Sequence, residues 1–184
     1  LRLIKHFFSG KWRIRSLFPE ASMLAIRDRI ASSEKKHRGE IVFAVEPSLD
    51  PREIIAGKTP REKAVEAFSN LRVCDTEENN AVLIYLLLSD NDIEILADRG
   101  VHRAAWPEFF ERICREIEEA YRKGDFLNGT LSGIDSVSQK LEELYPRDGR
   151  VDRNELPDRP AVLESIMHPL LRRIFRTAVL TMLI

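Results

Sequence analysis

Apolar and polar residues are interleaved without a long run over residues 1–18. Leu3, Ile4, Phe7, Phe8, Trp12, Ile14, Leu17 and Phe18 sit among Arg2, Lys5, Lys11, Arg13 and Arg15, and Gly10 divides any helix there into two short pieces. Beyond Pro19 the period changes. Met23, Ile26 and Ile30, joined by Leu24 and Ala31, recur at helical spacing, which predicts a helix to about His37 with Pro19 at its first turn and Gly39 just past its end. Residues 40–46 (EIVFAVE) are apolar on both alternating faces, the signature of a strand covered on both sides. Residues 48–60 are polar and carry Pro51, Gly57 and Pro60, so they read as a connector with one short turn.

Thr59 caps the next predicted helix and Pro60 opens it, with Ala64, Val65, Phe68 and Leu71 as its buried face. Residues 73–80 form an acidic loop. Residues 81–88 (AVLIYLLL) are an unbroken apolar run of strand length, residues 89–92 (SDND) a tight turn, and residues 93–97 the antiparallel return. In the expected register Leu88 faces Asp92 and Val82 lies near Asp98. The rest is helical: a stripe of Phe109, Ile113, Ile117 and Ala120 ends at Gly124, and a second stripe from Leu127 to Leu144 ends at Pro146.

This order gives one parallel strand pair through a crossover helix and one antiparallel edge. The expected fold is a three-layer α/β/α sandwich around a small mixed sheet of three to four strands. The chain divides into a basic, aromatic arm (1–18), an α/β/α domain (19–146), and a charged linker with an amphipathic C-terminal extension containing Pro169 (147–184).

Composition narrows the function classes. Among 184 residues, 29 Lys and Arg balance 30 Asp and Glu, with 43% hydrophobic residues. Such a chain has too much apolar content for disorder, no basic excess for nucleic acid, and too few cysteines (Cys74, Cys114) for a disulfide scaffold. The most apolar stretch, from Leu170, is interrupted by Arg172, Arg173 and Arg176, and the N-terminus lacks a signal-peptide pattern. These features read as a cytoplasmic protein with free thiols. The near-zero charge nevertheless hides a basic arm that precedes the first acid, Glu20. That arm can dock on an anionic membrane surface or a protein partner, or its apolar side can cover its own domain while Arg2, Lys5, Lys11, Arg13 and Arg15 face water around Trp12.

Most candidate chemistry dissolves on inspection. Gly57-Lys58-Thr59 has the end of a phosphate-binding loop, but Arg52 stands where its first Gly belongs. Asp90 and Asp92 suit a turn better than a phosphotransferase, and the four histidines share no ligand spacing. One cluster remains. The hairpin brings the loop Asp75-Thr76-Glu77-Glu78-Asn79-Asn80 to Asp98 and Arg99. Asp75, Glu77, Glu78, Asn79, Asn80 and Asp98 offer hard oxygen ligands suited to Ca²⁺ or another divalent cation, and the alternative is a solvated acidic loop neutralised in part by Arg99.

The blocks Gly39 to Val45, Ala64 to Phe68, Asp75 to Tyr85, Ile93 to Gly100 and Gly124 to Gly133 occur in an order and spacing that resembles the TPM domain family. Asn154-Glu155-Leu156-Pro157-Asp158-Arg159-Pro160 resembles the ending of its soluble bacterial subgroup. The resemblance implies the α/β/α sandwich and divalent-cation binding by acidic loop residues. It also implies links to acid phosphatase activity, photosystem repair or receptor accessory roles. Two departures stand out: Ala81 follows Asn79-Asn80 where the family has Gly, and Gly100 is followed by His102 without the family's further Gly and Glu. Two readings follow, a cation-binding interaction module and a low-activity metal-dependent acid phosphatase with Arg99 as its phosphate clamp.

Overall fold

The computed structural model describes residues 2–104, 107–149 and 153–164. Its elements run α1 (Arg2–Phe8), α2 (Lys11–Leu17), α3 (Glu20–Ser33), β1 (Ile41–Glu46), α4 (Pro51–Ile55), α5 (Pro60–Asn70), β2 (Val82–Leu87), β3 (Asp92–Ala97), α6 (Arg99–Ala104), α7 (Pro107–Arg122), α8 (Phe126–Leu144) and β4 (Ala161–Val162). The four-stranded sheet has the order β3-β2-β1-β4. β1 is parallel to β2 and β4, and β2 and β3 form the antiparallel hairpin.

Strand alternation sorts the core into two layers. Ile41, Phe43, Val45, Val82, Ile84 and Leu86 pack with Ile26 and Ile30 of α3, Ile113 and Ile117 of α7, and Ile134, Val137 and Leu141 of α8. Val42, Ala44, Leu83, Tyr85 and Leu87 face the other way, onto Leu49, Ala64, Ala67 and Val73. Each fully buried Leu, Ile or Phe contributes about 1.5–3 kcal/mol relative to exposure, so both layers are needed to bury two strands with no polar face. The α/β/α sandwich with a mixed sheet is therefore the observed architecture.

Local chemistry sets the element ends. Thr59 accepts the Glu62 amide while the Glu62 carboxylate accepts the Thr59 amide, a capping box with Pro60 inside it, and Asp50 and Glu53 repeat the device on α4. Gly124, at φ 83°, ends α7.

Several expected details differ. α3 stops at Ser33, and Pro19 is its N-cap rather than its first helical residue. Gly39 does not terminate that helix; a methyl group on it would lie 2.8 Å from the Leu141 side chain, so its role is close approach to α8. Val65 is 48% exposed and Ala67 takes its place on the buried face of α5, because small side chains let the helix lie close to the sheet. The hairpin loop holds four residues, 88–91, with Asn91 left-handed at φ 53°. Leu87 therefore faces Asp92 and Val82 faces Ala97, one residue from the expected register.

α6 and β4 are additions. β4 is too short to show a period. It is positioned by the buried Glu40 carboxylate, which accepts the Glu155 amide at 3.0 Å and the Leu156 amide at 3.3 Å. The extension around Pro169 lies outside the described residues.

The arm packs on the domain. Ile14 and Phe18 are buried, and Phe18 stacks edge-on against Tyr121 and Phe126. His6 of α1 is buried as well. Its Nδ1 accepts the Leu49 amide at 2.9 Å and lies 2.8 Å from Ser89 Oγ, while Nε2 lies 2.9 Å from Asp90 Oδ1. Arg2 grips the other Asp90 oxygen at 2.8 Å.

An amide donating to Nδ1 requires the neutral ring, and burial lowers the His6 pKa from its ordinary 6.5 against the pull of Asp90. The docked arm therefore binds fewer protons than the released one. Docking is fully favoured above about pH 6.5 and weakens as pH falls below it. We expect the hydrogen-exchange protection factor of the Leu49 amide to drop between neutral and mildly acidic pH, and His6→Ala to show low protection at both. Equal protection of the wild type across that range would refute this account.

Candidate functional site

The loop after α5 and the end of β3 meet at one end of the sheet. Asp98 follows β3, and its amide donates to the Ala81 carbonyl at 2.8 Å, which extends the hairpin by one pair. Asp98 is 4% exposed. One of its carboxylate oxygens, Oδ1, accepts the Arg99 amide at 2.6 Å, and its main-chain carbonyl accepts the His102 amide at 2.8 Å. These bonds start α6 and fix the carboxylate. Its second oxygen, Oδ2, is buried without a hydrogen-bond partner.

Asn80, 2% exposed, directly precedes Ala81, whose carbonyl takes the Asp98 amide. Its amide nitrogen Nδ2 donates to the Arg38 carbonyl at 2.5 Å, and its backbone N–H donates to Thr76 Oγ1 at 3.3 Å. The Arg38 carbonyl needs a donor, which orients the side-chain amide and leaves Oδ1 buried and unpartnered. Asn79 is left-handed at φ 52°, a conformation asparagine tolerates. Its Oδ1 accepts Arg99 Nη2 at 2.8 Å, and its carbonyl accepts the Gly100 amide at 2.9 Å. The residue that needs positive φ is thus Asn79, and Ala81, fully buried, carries no such demand.

The remaining acids of the loop do not join this pair. Glu78 is held by Arg38 at 3.2 Å, and Arg38 also bonds the Pro146 carbonyl. Asp75 and Glu77 are exposed, and the Glu77 amide donates to the Glu155 carboxylate at 3.1 Å. Among the described residues no group of three or more His, Cys, Asp or Glu could hold a metal ion. The corner therefore brings together Asn79, Asn80, Asp98 and Arg99 and leaves Asp75, Glu77 and Glu78 at its rim.

One residue of the corner, Tyr145, escapes sequence reasoning. The Tyr145 hydroxyl lies over Gly100, where an added methyl would sit 2.5 Å from it. Burial, with Glu78 and Asp98 close by, raises the Tyr145 pKa. The only signal for it was its place at the end of the last helical stripe, before Pro146. Gly100 itself is hemmed in by main chain.

The carboxyl end of β1 holds a second charged group. Buried Glu46 accepts the Tyr85 hydroxyl at 2.7 Å and lies 3.7 Å from Lys63, which also binds Glu53 at 2.8 Å. Burial raises the Glu46 pKa. Its oxygens have partners, unlike Asp98 Oδ2.

Of the arm residues, Arg2 binds Asp90 and Arg13 donates to Ser9 Oγ at 3.0 Å. Lys11 pairs with Glu164, while Lys5, Arg15 and Trp12, which is 67% exposed, face outward. Cys74 is exposed, and burial pushes the Cys114 thiol up to about 12. No helix among the described residues is long and apolar enough to cross a membrane.

A mixed sheet of order β3-β2-β1-β4 between helical layers, with a left-handed Asn loop against the first residue past β3, defines an α/β/α domain class. The model of the TPM domain family matches residues 15–140, and the chain belongs to that family. Among solved structures it is similar to the BA42 protein of the psychrophilic bacterium Bizionia argentinensis, determined by NMR. That match has 26% identity and a TM-score of 0.68, and covers 78% of this chain and 93% of the other. The N-terminal domain of a protein from P. gingivalis, also an NMR structure, shares the fold at 19% identity and a TM-score of 0.56, over 73% of this chain and 83% of that one. No curated protein matches the chain.

Gly100 gives a direct test of the corner. A methyl group there would lie 2.6 Å from the Asn79 carbonyl oxygen and 2.5 Å from the Tyr145 hydroxyl. Gly100→Ala should destabilise the domain by about 1–3 kcal/mol through overpacking against main chain. Urea denaturation measures this, and an unchanged midpoint would show that the loop yields freely.

Proposed function

We propose that this TPM domain binds a divalent cation, Ca²⁺ in particular, at the Asn80–Asp98 corner and serves as a cation-dependent interaction module. One observation carries the reading: Asp98 Oδ2 and Asn80 Oδ1 are both buried and both lack a partner. Each unmet buried polar group costs about 1–3 kcal/mol, and more when charged. A cation would offset that cost. The donors at hand are a carboxylate, a side-chain amide oxygen and the Glu78 and Asn79 carbonyls that flank Gly100. All are hard oxygens, which fit Ca²⁺ or Mg²⁺ and not Zn²⁺.

With a single carboxylate in the corner, affinity should fall toward the weak end of calcium sites, about 10⁻⁴–10⁻³ M. Asp75, Glu77 and Glu78 would act at the rim, by raising the local cation concentration. Arg99 donates to Asn79 Oδ1, which supports a role in holding the loop and not as a clamp on phosphate. In this reading Lys5, Trp12 and Arg15, outward on the arm, are the residues available to a protein partner or an anionic membrane surface.

The test is a Ca²⁺ titration followed through backbone amide shifts. Saturable changes should concentrate at Asn80, Asp98 and Gly100, and Asp98→Asn, which keeps the shape and removes the charge, should weaken binding about tenfold or more. Silence at these three amides at about 10 mM Ca²⁺, above the weakest ordinary range, would rule the site out.

A further inference from the structure

Among the described residues β3 is an edge strand, paired only with β2. The Asp98 amide bonds Ala81, so the even-numbered residues of this hairpin arm direct their backbone groups to β2. Ile93, Ile95 and Ala97 therefore direct theirs outward, and of these the Ile95 backbone is already met by the Cys114 thiol and by Arg61. A groove of about 760 Å³ runs the whole length of that edge, walled by Arg61 of α5 on one side and by Phe110, Cys114 and Glu118 of α7 on the other. A strand edge that meets a groove between two helices is a template for one more strand.

We propose that this groove docks an extended peptide segment carrying Lys or Arg side chains, which adds to the sheet alongside β3. Charge selects the occupant. Asp92, Glu94, Glu111 and Glu118 line the groove against the guanidinium groups of Arg61 and Arg115. Asp92 is half-buried and has no ion-pair partner among the described residues. Burial, then Glu94, Glu118 and Asp90, push its carboxyl up to about 6, with Arg2 offsetting only part. A peptide cation would relieve that crowding.

The protein already shows the edge accepting such a group. Arg61 reaches from α5 to donate to the Ile95 carbonyl at 2.9 Å and to Glu94 at 3.0 Å. Its side chain is more than half exposed, so an incoming strand can displace it. A second copy of this chain is a poorer fit, because the same acids would oppose one another across a two-fold axis.

The test uses the full chain without added divalent cation, so that its outcome is independent of the Asn80–Asp98 corner. A fluorescent synthetic peptide alternating valine and lysine is titrated at low salt, with amide hydrogen exchange as a second readout. We expect saturable binding and protection of the Ile93 and Ala97 amides. The double variant Asp92→Asn, Glu118→Gln should bind about tenfold more weakly with an unchanged fold, and a peptide with glutamate for lysine should not bind. Ala97→Pro removes an outward N–H while leaving the ladder to β2, and should also weaken binding. Equal affinity for the glutamate peptide, or protection confined to other elements, would overturn the proposal. So would a concentration-dependent dimer that protects the same amides without peptide, since the edge would then belong to a second copy.

Discussion

β1 and β2 have no side that tolerates water. Every residue of Ile41–Glu46 and Val82–Leu87 is buried, and all but Glu46 are apolar or, in Tyr85, aromatic. Strand geometry sends alternate side chains to opposite faces, so neither helical layer alone can cover them. α3, α7 and α8 must take one face and α4 and α5 the other. The chain has to leave β1, cross one face through α5 and return as β2, which makes the pair parallel and puts both connecting loops at the sheet's ends. The position of the Asn79–Asn80 loop beside Asp98 is a consequence of that two-sided burial.

Much of this was legible because burial leaves a periodic trace. The apolar runs at 41–45 and 81–88, the Thr59-Pro60 helix start and the α7 and α8 stripes each combine a period with a capping or stopping residue. What was not legible depends on single contacts between distant residues. Gly39 looks like a helix stop, yet its glycine is set by Leu141 on α8. β4 is two residues long and is placed by Glu40, more than a hundred positions earlier. The hairpin register hung on whether the loop held three or four residues, a choice decided by the left-handed Asn91.

The same division runs through the candidate corner. Acidic composition drew attention to the whole loop from Asp75 to Asn80, but composition cannot tell which side chains turn inward. Inward turning requires a partner on the other side, and in this corner the main chain supplies it. Asn80 has the Arg38 carbonyl and Asp98 has the Arg99 amide, so these two are held below the surface. Glu78 instead meets the Arg38 guanidinium, which lets it stay in water. Tyr145 and Gly100 complete the corner through steric fit, which has no sequence period at all.

Three carboxylates show why burial alone does not mark a site. Glu46 is only 1% exposed, but the Tyr85 hydroxyl and Lys63 meet its two oxygens, and nothing more is asked of it. Asp92 is only half-buried, and its cost comes first from that burial and then from the like charges of Glu94, Glu118 and Asp90, so any cation along the β3 edge reduces it. Asp98 is nearly as buried as Glu46, but only one of its oxygens is met. The first arrangement is a finished structural unit. The second is non-directional and suits a mobile peptide cation that needs charge more than geometry. The third is a carboxylate oxygen held below the surface with no partner of its own, and it is the one on which the proposed cation site rests.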